Sequence, residues 1–126
     1  MTTASKTKTT KKILIVEDEG EMCLVLNIVL NAKDIELDHV PNLAEAAEYL
    51  QKNHPSVIIL DNKLPDGFGV DLITFIKKNY PAIKIIMISG FGAEAKDVAM
   101  ENGADIFLEK PFTKEQLFDA INMVLK

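Results

Sequence analysis

Residues 83–108 read IKIIMISGFGAEAKDVAMENGADIFL. Ile83 to Ile88 is a short apolar run dominated by β-branched isoleucine, which suits a strand. Ala93 to Asn102 has the length and composition of a helix and runs into Gly103, a residue suited to the position just past a helix end. A second apolar run, Asp105 to Leu108, follows. Two strands apolar on both faces, joined through a helix, are the unit of a parallel sheet with right-handed crossovers.

The same unit recurs toward both ends. Three further runs rich in Ile, Val and Leu stand at Lys12 to Val16, Glu36 to Val40 and Ser56 to Leu60. Between the first two, Met22, Val25, Leu26, Val29 and Leu30 follow the helical i, i+3, i+4 rule. Asn42 can cap a helix over Leu43 to Asn53, with Glu45 completing a start like a capping box. Val70 to Asn79 makes the next helix, ended by Pro81. A last helix begins after Thr113, with Gln116 three residues on, and is expected to bury Leu117, Phe118, Ile121, Val124 and Leu125. Met22, Met87, Met100 and Met123 read as core filler. Five strand-helix units predict an α/β fold: a doubly wound five-stranded parallel sheet with helices on both faces.

The 126 residues leave room for one domain of ordinary size. Residues 1–11, rich in Thr and Lys, read as a disordered basic tail, and residues 12–126 as the domain. Nineteen acidic residues against fourteen basic give a net charge of -5, and every basic residue is lysine. Without guanidinium forks or a basic face, direct nucleic-acid binding is disfavoured. The apolar runs are far shorter than the roughly 20 residues that span a bilayer, and the N-terminus has no apolar secretory segment. Cys23 is the only cysteine, which excludes an internal disulfide and fits a cytoplasmic setting.

Sheets of this kind bind ligands beyond the carboxyl ends of their strands. Those positions hold Glu17, Asp18 and Glu19, then Asp61, then Ser89 and Gly90, then Lys110 and Pro111. Crowded carboxylates repel unless a cation intervenes, and Mg²⁺ is the expected one because it takes few carboxylates and leaves room for a phosphoryl oxygen. The charges of Glu17, Asp18 and Asp61 balance those of Mg²⁺ and Lys110. Such a pocket is ready for an anion, with Ser89 as a further donor. Glu19 suits a helix N-terminus instead. His39 and His54 have no partners at metal-binding spacing, and Gly90-Phe91-Gly92 lacks the third glycine of a dinucleotide loop.

The stretches ILIVEDE, LDNKLPDGFG, IMISG and GADIFLEKPF, in this order, resemble the successive motifs of the two-component receiver domain across residues 12–126. The resemblance implies a flavodoxin-like (βα)5 fold with strand order 2-1-3-4-5. It makes Asp61 the phosphoacceptor, Asp18 a direct Mg²⁺ ligand, Glu17 a ligand partly through water, and Lys63 a ligand through its main-chain carbonyl. Ser89 resembles the switch hydroxyl, Phe107 the aromatic switch position and Lys110 the phosphate-binding lysine. Pro111 follows a peptide bond commonly cis in the family. The implied partners are a sensor histidine kinase or a histidine phosphotransfer protein, and a downstream protein target. Ending near the last helix, the chain is expected to be a single-domain response regulator.

Several residues depart from the family pattern. Glu17 replaces the more frequent Asp, Phe107 stands where Tyr is common, and Phe68 where many relatives are polar. Lys63 and Phe91 are expected to flank the phosphoryl group. Lacking arginine, the chain has only Lys96, Lys114 and similar residues for the salt bridges of the dimer common among DNA-binding relatives, so only a weak homodimer is left open. Cys23, Leu24 and Ile28 make the first helix apolar nearly all round, a candidate kinase-docking face. Two other readings compete: a degenerate receiver that binds partners without phosphate, and an aspartate-based phosphohydrolase, for which Lys63 occupies the place of the usual second Asp. A flavodoxin-like electron carrier is disfavoured by the lack of tryptophan and of a phosphate-cradling first loop.

Overall fold

A computed structural model of the chain describes residues 11–18, 35–90 and 93–125. One sheet is built from β1 (Lys11–Val16), β2 (Ile35–Val40), β3 (Val57–Asp61), β4 (Lys84–Ser89) and β5 (Ile106–Glu109). Every neighbouring pair is parallel, and the order across the sheet is 2-1-3-4-5, as the resemblance implied. The helices are α1 (Leu43–Lys52), α2 (Gly69–Asn79), α3 (Ala93–Glu101) and α4 (Lys114–Leu125). The helix expected around Met22 to Leu30, with Cys23, Leu24 and Ile28, lies outside the described residues, as do Glu19, Phe91 and residues 1–10. Lys11, read as tail, belongs to the domain: it pairs with Ile35 because the ladder extends to the first residue of β2.

Alternation along the strands sorts the core into two layers. Leu14, Val16, Ile58, Leu60, Ile85 and Met87 face one way, against Ala46 and Leu50 of α1, Leu72, Ile73 and Ile76 of α2, and Ala99 of α3. Ile13, Ile15, Val57, Ile59, Ile86 and Ile88 face the other way and meet Leu117, Ala120 and Ile121 of α4. Both faces of β1, β3 and β4 are therefore buried, which is why these strands are apolar without a polar face.

The helix ends follow their local chemistry. Thr113 and Gln116 form a reciprocal capping box: Gln116 N donates to Thr113 Oγ1 at 3.0 Å and Thr113 N to Gln116 Oε1 at 2.8 Å. Past α3, Gly103 adopts a φ of 114° while Ala104 N donates to Ala99 O and Gly103 N to Met100 O, the paired bonds of a Schellman ending. Three apolar expectations are corrected. Phe118, Met100 and Met123 are exposed, Met123 by 67%, because they fall off the buried stripes centred on Leu117, Ala120 and Ile121 in α4 and Ala99 in α3. Among the described residues no helix is long and apolar enough to cross a membrane.

Candidate functional site

The parallel register sends the ends of β1, β3, β4 and β5 to one edge of the sheet. Val16 lies opposite Leu60, Asp61 opposite Ile88, and Ser89 opposite Glu109. Residues far apart in sequence meet there for that reason alone. Asp18, Asp61, Lys63, Leu64, Pro65, Ser89, Gly90 and Lys110 line one cleft of about 540 Å³. Beneath it, Glu17, Asp61 and Lys110 share a narrow crevice walled by Ile15, Val16, Ile59 and Ile88.

The central contact pairs opposite charges. Lys110 Nζ donates to Asp61 Oδ2 at 3.2 Å, and the Asp61 side chain is 15% exposed against 42% for Lys110. Coulomb attraction is stronger at such a partly desolvated carboxylate than at an open surface. Lys110 is placed by its main chain as well: its N–H donates to Ser89 O at 2.9 Å, and the Lys110–Pro111 peptide is cis. Ser89 is only 1% exposed. Glu17 is 7% exposed, and its main chain is held twice, by Glu17 N donating to Val40 O and by His39 Nε2 donating to Glu17 O at 2.7 Å. His39 thus has a structural partner that spacing along the chain did not reveal.

Two residues of the loop after Asp61 went unnoticed in the sequence. Asn62 is buried and acts as a staple: its N–H donates to Ile88 O, its carbonyl accepts from Gly69 N at 2.6 Å, and its Oδ1 accepts from Val70 N in the first turn of α2. An Asn seven residues ahead of the first residue of a helix is too remote to register as a local cap. Asp66 sits at the turn of a two-residue antiparallel ladder pairing Lys63 with Phe68 and Leu64 with Gly67. Its carboxylate accepts from Leu43 N at 2.9 Å and Ala44 N at 3.0 Å, at the start of α1. The N–H of Leu43, foremost, and that of Ala44 hold the Asp66 carboxyl below its ordinary range, against an opposing push from desolvation.

Phe107 is half-buried beside the core layer of α1 and α2, and borders an opening of about 470 Å³ with Leu108, Pro111, Phe112 and Gln116. Phe68 is exposed at the ladder. Among the described residues no three His, Cys, Asp or Glu side chains form a metal-holding group. The carboxylates on the cleft itself are those of Asp18 and Asp61. That set fits Mg²⁺, which typically takes one or two carboxylates and keeps several waters.

The family model described as response regulator receiver domain matches residues 13–122. Chemotaxis protein CheY of Thermotoga maritima is 32% identical over 118 residues, covering 92% of this chain and 98% of that protein. Response regulator protein PilR of Pseudomonas aeruginosa is 31% identical over 117 residues, and the chain spans only 26% of its length. The crystal structure of a CheY-like receiver domain protein from Methanospirillum hungatei superposes with a TM-score of 0.84 at 26% identity, covering 92% of this chain and 94% of that one.

Proposed function

Since this chain belongs to the response regulator receiver domain family, we propose that it is a phosphorylation-switched signalling module that accepts a phosphoryl group on Asp61 and then changes its protein contacts. The observation that carries this reading is the 3.2 Å contact of Lys110 Nζ with Asp61 Oδ2 on a cleft that also holds Asp18 and Ser89. The donor is a phosphohistidine of a sensor kinase or phosphotransfer protein. An Asp61 carboxylate oxygen attacks phosphorus in line, and the P–N bond breaks with its electron pair leaving on the imidazole.

Lys110 orients the acceptor carboxylate through its 3.2 Å contact, then follows the new charge by donating to a phosphoryl oxygen. Asp18 and Asp61 would hold Mg²⁺ directly, Lys63 through its main-chain carbonyl, and Glu17 through water. When bound, the ion supplies neutralisation of the equatorial phosphoryl oxygens. The Ser89 hydroxyl turns toward the aspartyl phosphate, Phe107 packs inward behind it, and the surface formed by α3, β5 and α4 changes its partner preference. The module works in the cytoplasm and is a phosphoacceptor rather than an enzyme acting on a separate substrate.

The test is direct. Wild type incubated with Mg²⁺ and acetyl phosphate should gain one base-labile phosphate by intact mass, and Asp61→Asn should gain none. A wild type that takes up no phosphate, or an Asp61→Asn chain that takes it up equally, would sink this reading.

A further inference from the structure

The loop between Asp61 and α2 has two anchors. At its base Asn62 is bonded to β4 and to the start of α2. At its tip the Asp66 carboxylate bonds to another element, the N-terminus of α1, 22 and 23 positions away in sequence. The first three N–H groups of a helix have no partner within it. In α1 the third, Glu45 N, is taken by Asn42 Oδ1 at 2.8 Å, and the first two by Asp66. A carboxylate at a helix N-terminus is also favoured by the helix dipole. A second contact joins the same two elements: a Cβ on Gly67 would lie 2.9 Å from Leu43 Cδ1, so the ladder is pressed against α1 with no spare space.

We infer that Asp66 is a positioning residue for phosphoryl transfer: by gripping the start of α1 it holds the Lys63–Phe68 ladder, and with it the Lys63 main chain, in register with the acceptor. Lys63 is both a member of that ladder and part of the cleft lining, one residue past the Asn62 anchor. With its base and tip both pinned, the intervening main chain has little freedom. Releasing the tip leaves a two-residue ladder alone, which is too short to hold its own geometry in water. Misplacement of groups around a reacting centre by a fraction of an ångström lowers rate without removing any reacting group. This inference rests on the receiver reading for its rate effect, and on geometry alone for its structural effect.

Two substitutions separate positioning from plain helix capping. Asp66→Ala removes the caps on Leu43 and Ala44; Asn42→Ala removes the cap on Glu45 in the same helix without touching the acceptor loop. Amide hydrogen exchange is followed in both without metal or donor, and phosphorylation by acetyl phosphate is timed at saturating Mg²⁺. Asp66→Ala should speed exchange at Lys63, Leu64 and Phe68 and slow phosphorylation by roughly tenfold, and Asp66→Asn, which keeps one acceptor oxygen, should recover part of that loss. Asn42→Ala should change α1 exchange only, with a phosphorylation rate within about twofold of wild type. Unaltered ladder exchange in Asp66→Ala overturns the inference, and so does an equal rate loss in Asn42→Ala. If wild type takes no phosphate, the receiver function fails, and the exchange data still decide whether Asp66 holds the ladder.

Discussion

Gly69 opens α2, and replacing it with alanine sets two effects of opposite sign against each other. Helix propensity favours alanine over glycine by about 1 kcal/mol in a helix interior, and by less at a first turn. Packing opposes it. A Cβ at this position would lie 2.5 Å from the main-chain oxygen of Asp61, 3.0 Å from Leu60 Cγ and 3.2 Å from Asn62 Cα. Two of these three atoms are main chain and cannot swing aside, and the first separation must open by about 0.9 Å to become an ordinary contact. The bond from Gly69 N to Asn62 O, at 2.6 Å, ties the same two segments together. Overpacking of a close-fitted site costs about 1–3 kcal/mol, so the expected net loss for Gly69→Ala is about 1–2 kcal/mol. For a domain of this size that lowers the melting temperature by roughly 4–8 °C.

Because the atom that must yield is the carbonyl of the acceptor residue, phosphorylation by acetyl phosphate should slow in the same variant. Gly90→Ala is the stability control, since a Cβ there meets nothing within 4 Å and should change stability by less than about 0.5 kcal/mol. Urea denaturation of the three proteins measures the first effect and intact-mass time courses the second. A Gly69→Ala chain as stable as wild type, with an unchanged rate, would refute the claim that close approach at Gly69 holds Asp61 in place.

Other outcomes follow from contacts away from the acceptor. Tyr49 Oη donates to Asp38 Oδ2 at 2.6 Å, tying α1 to the edge strand β2, so Tyr49→Phe should cost about 1–2 kcal/mol in urea denaturation. Burial, then the Asp38 hydrogen bond and charge, hold the Tyr49 phenol above its ordinary value of 10.0. Its contribution is therefore complete below pH 10 and lost as pH rises beyond it, where the unfolded chain ionises first, and Tyr49→Phe should flatten that alkaline decline relative to wild type. Thr113→Ala removes the acceptor for Gln116 N at the start of α4 and should lower stability by about 1 kcal/mol, read as a shift in denaturation midpoint with unchanged slope.

Much of the architecture is legible in the sequence. Ile13 to Val16, Val57 to Leu60 and Ile85 to Ile88 are apolar at every position because both faces of the sheet are covered, and that lack of alternation points to a parallel sheet. Gly103, Thr113 and Gln116 behave as their positions predict because capping is settled within a few residues of chain. Phe118 and Met123 are exposed despite being apolar, because hydrophobicity alone does not say which side of α4 faces the sheet. The strand-end rule located Asp61, Ser89 and Lys110 together, but their separation along the chain says nothing about the 3.2 Å contact or the burial of Ser89.

Local order, through side-chain periodicity, glycine and capping chemistry, determined the strands, the helices and the edge at which acidic, hydroxyl and ammonium groups would gather. Only the tertiary structure decided which partners they take there. Asp66 caps a helix more than twenty residues earlier in the chain, Asn62 staples β3 to β4 and α2, and His39 holds the main chain of Glu17. Periodicity is a property of neighbouring residues, whereas these bonds join segments that become neighbours only when parallel register and helix packing bring them within reach.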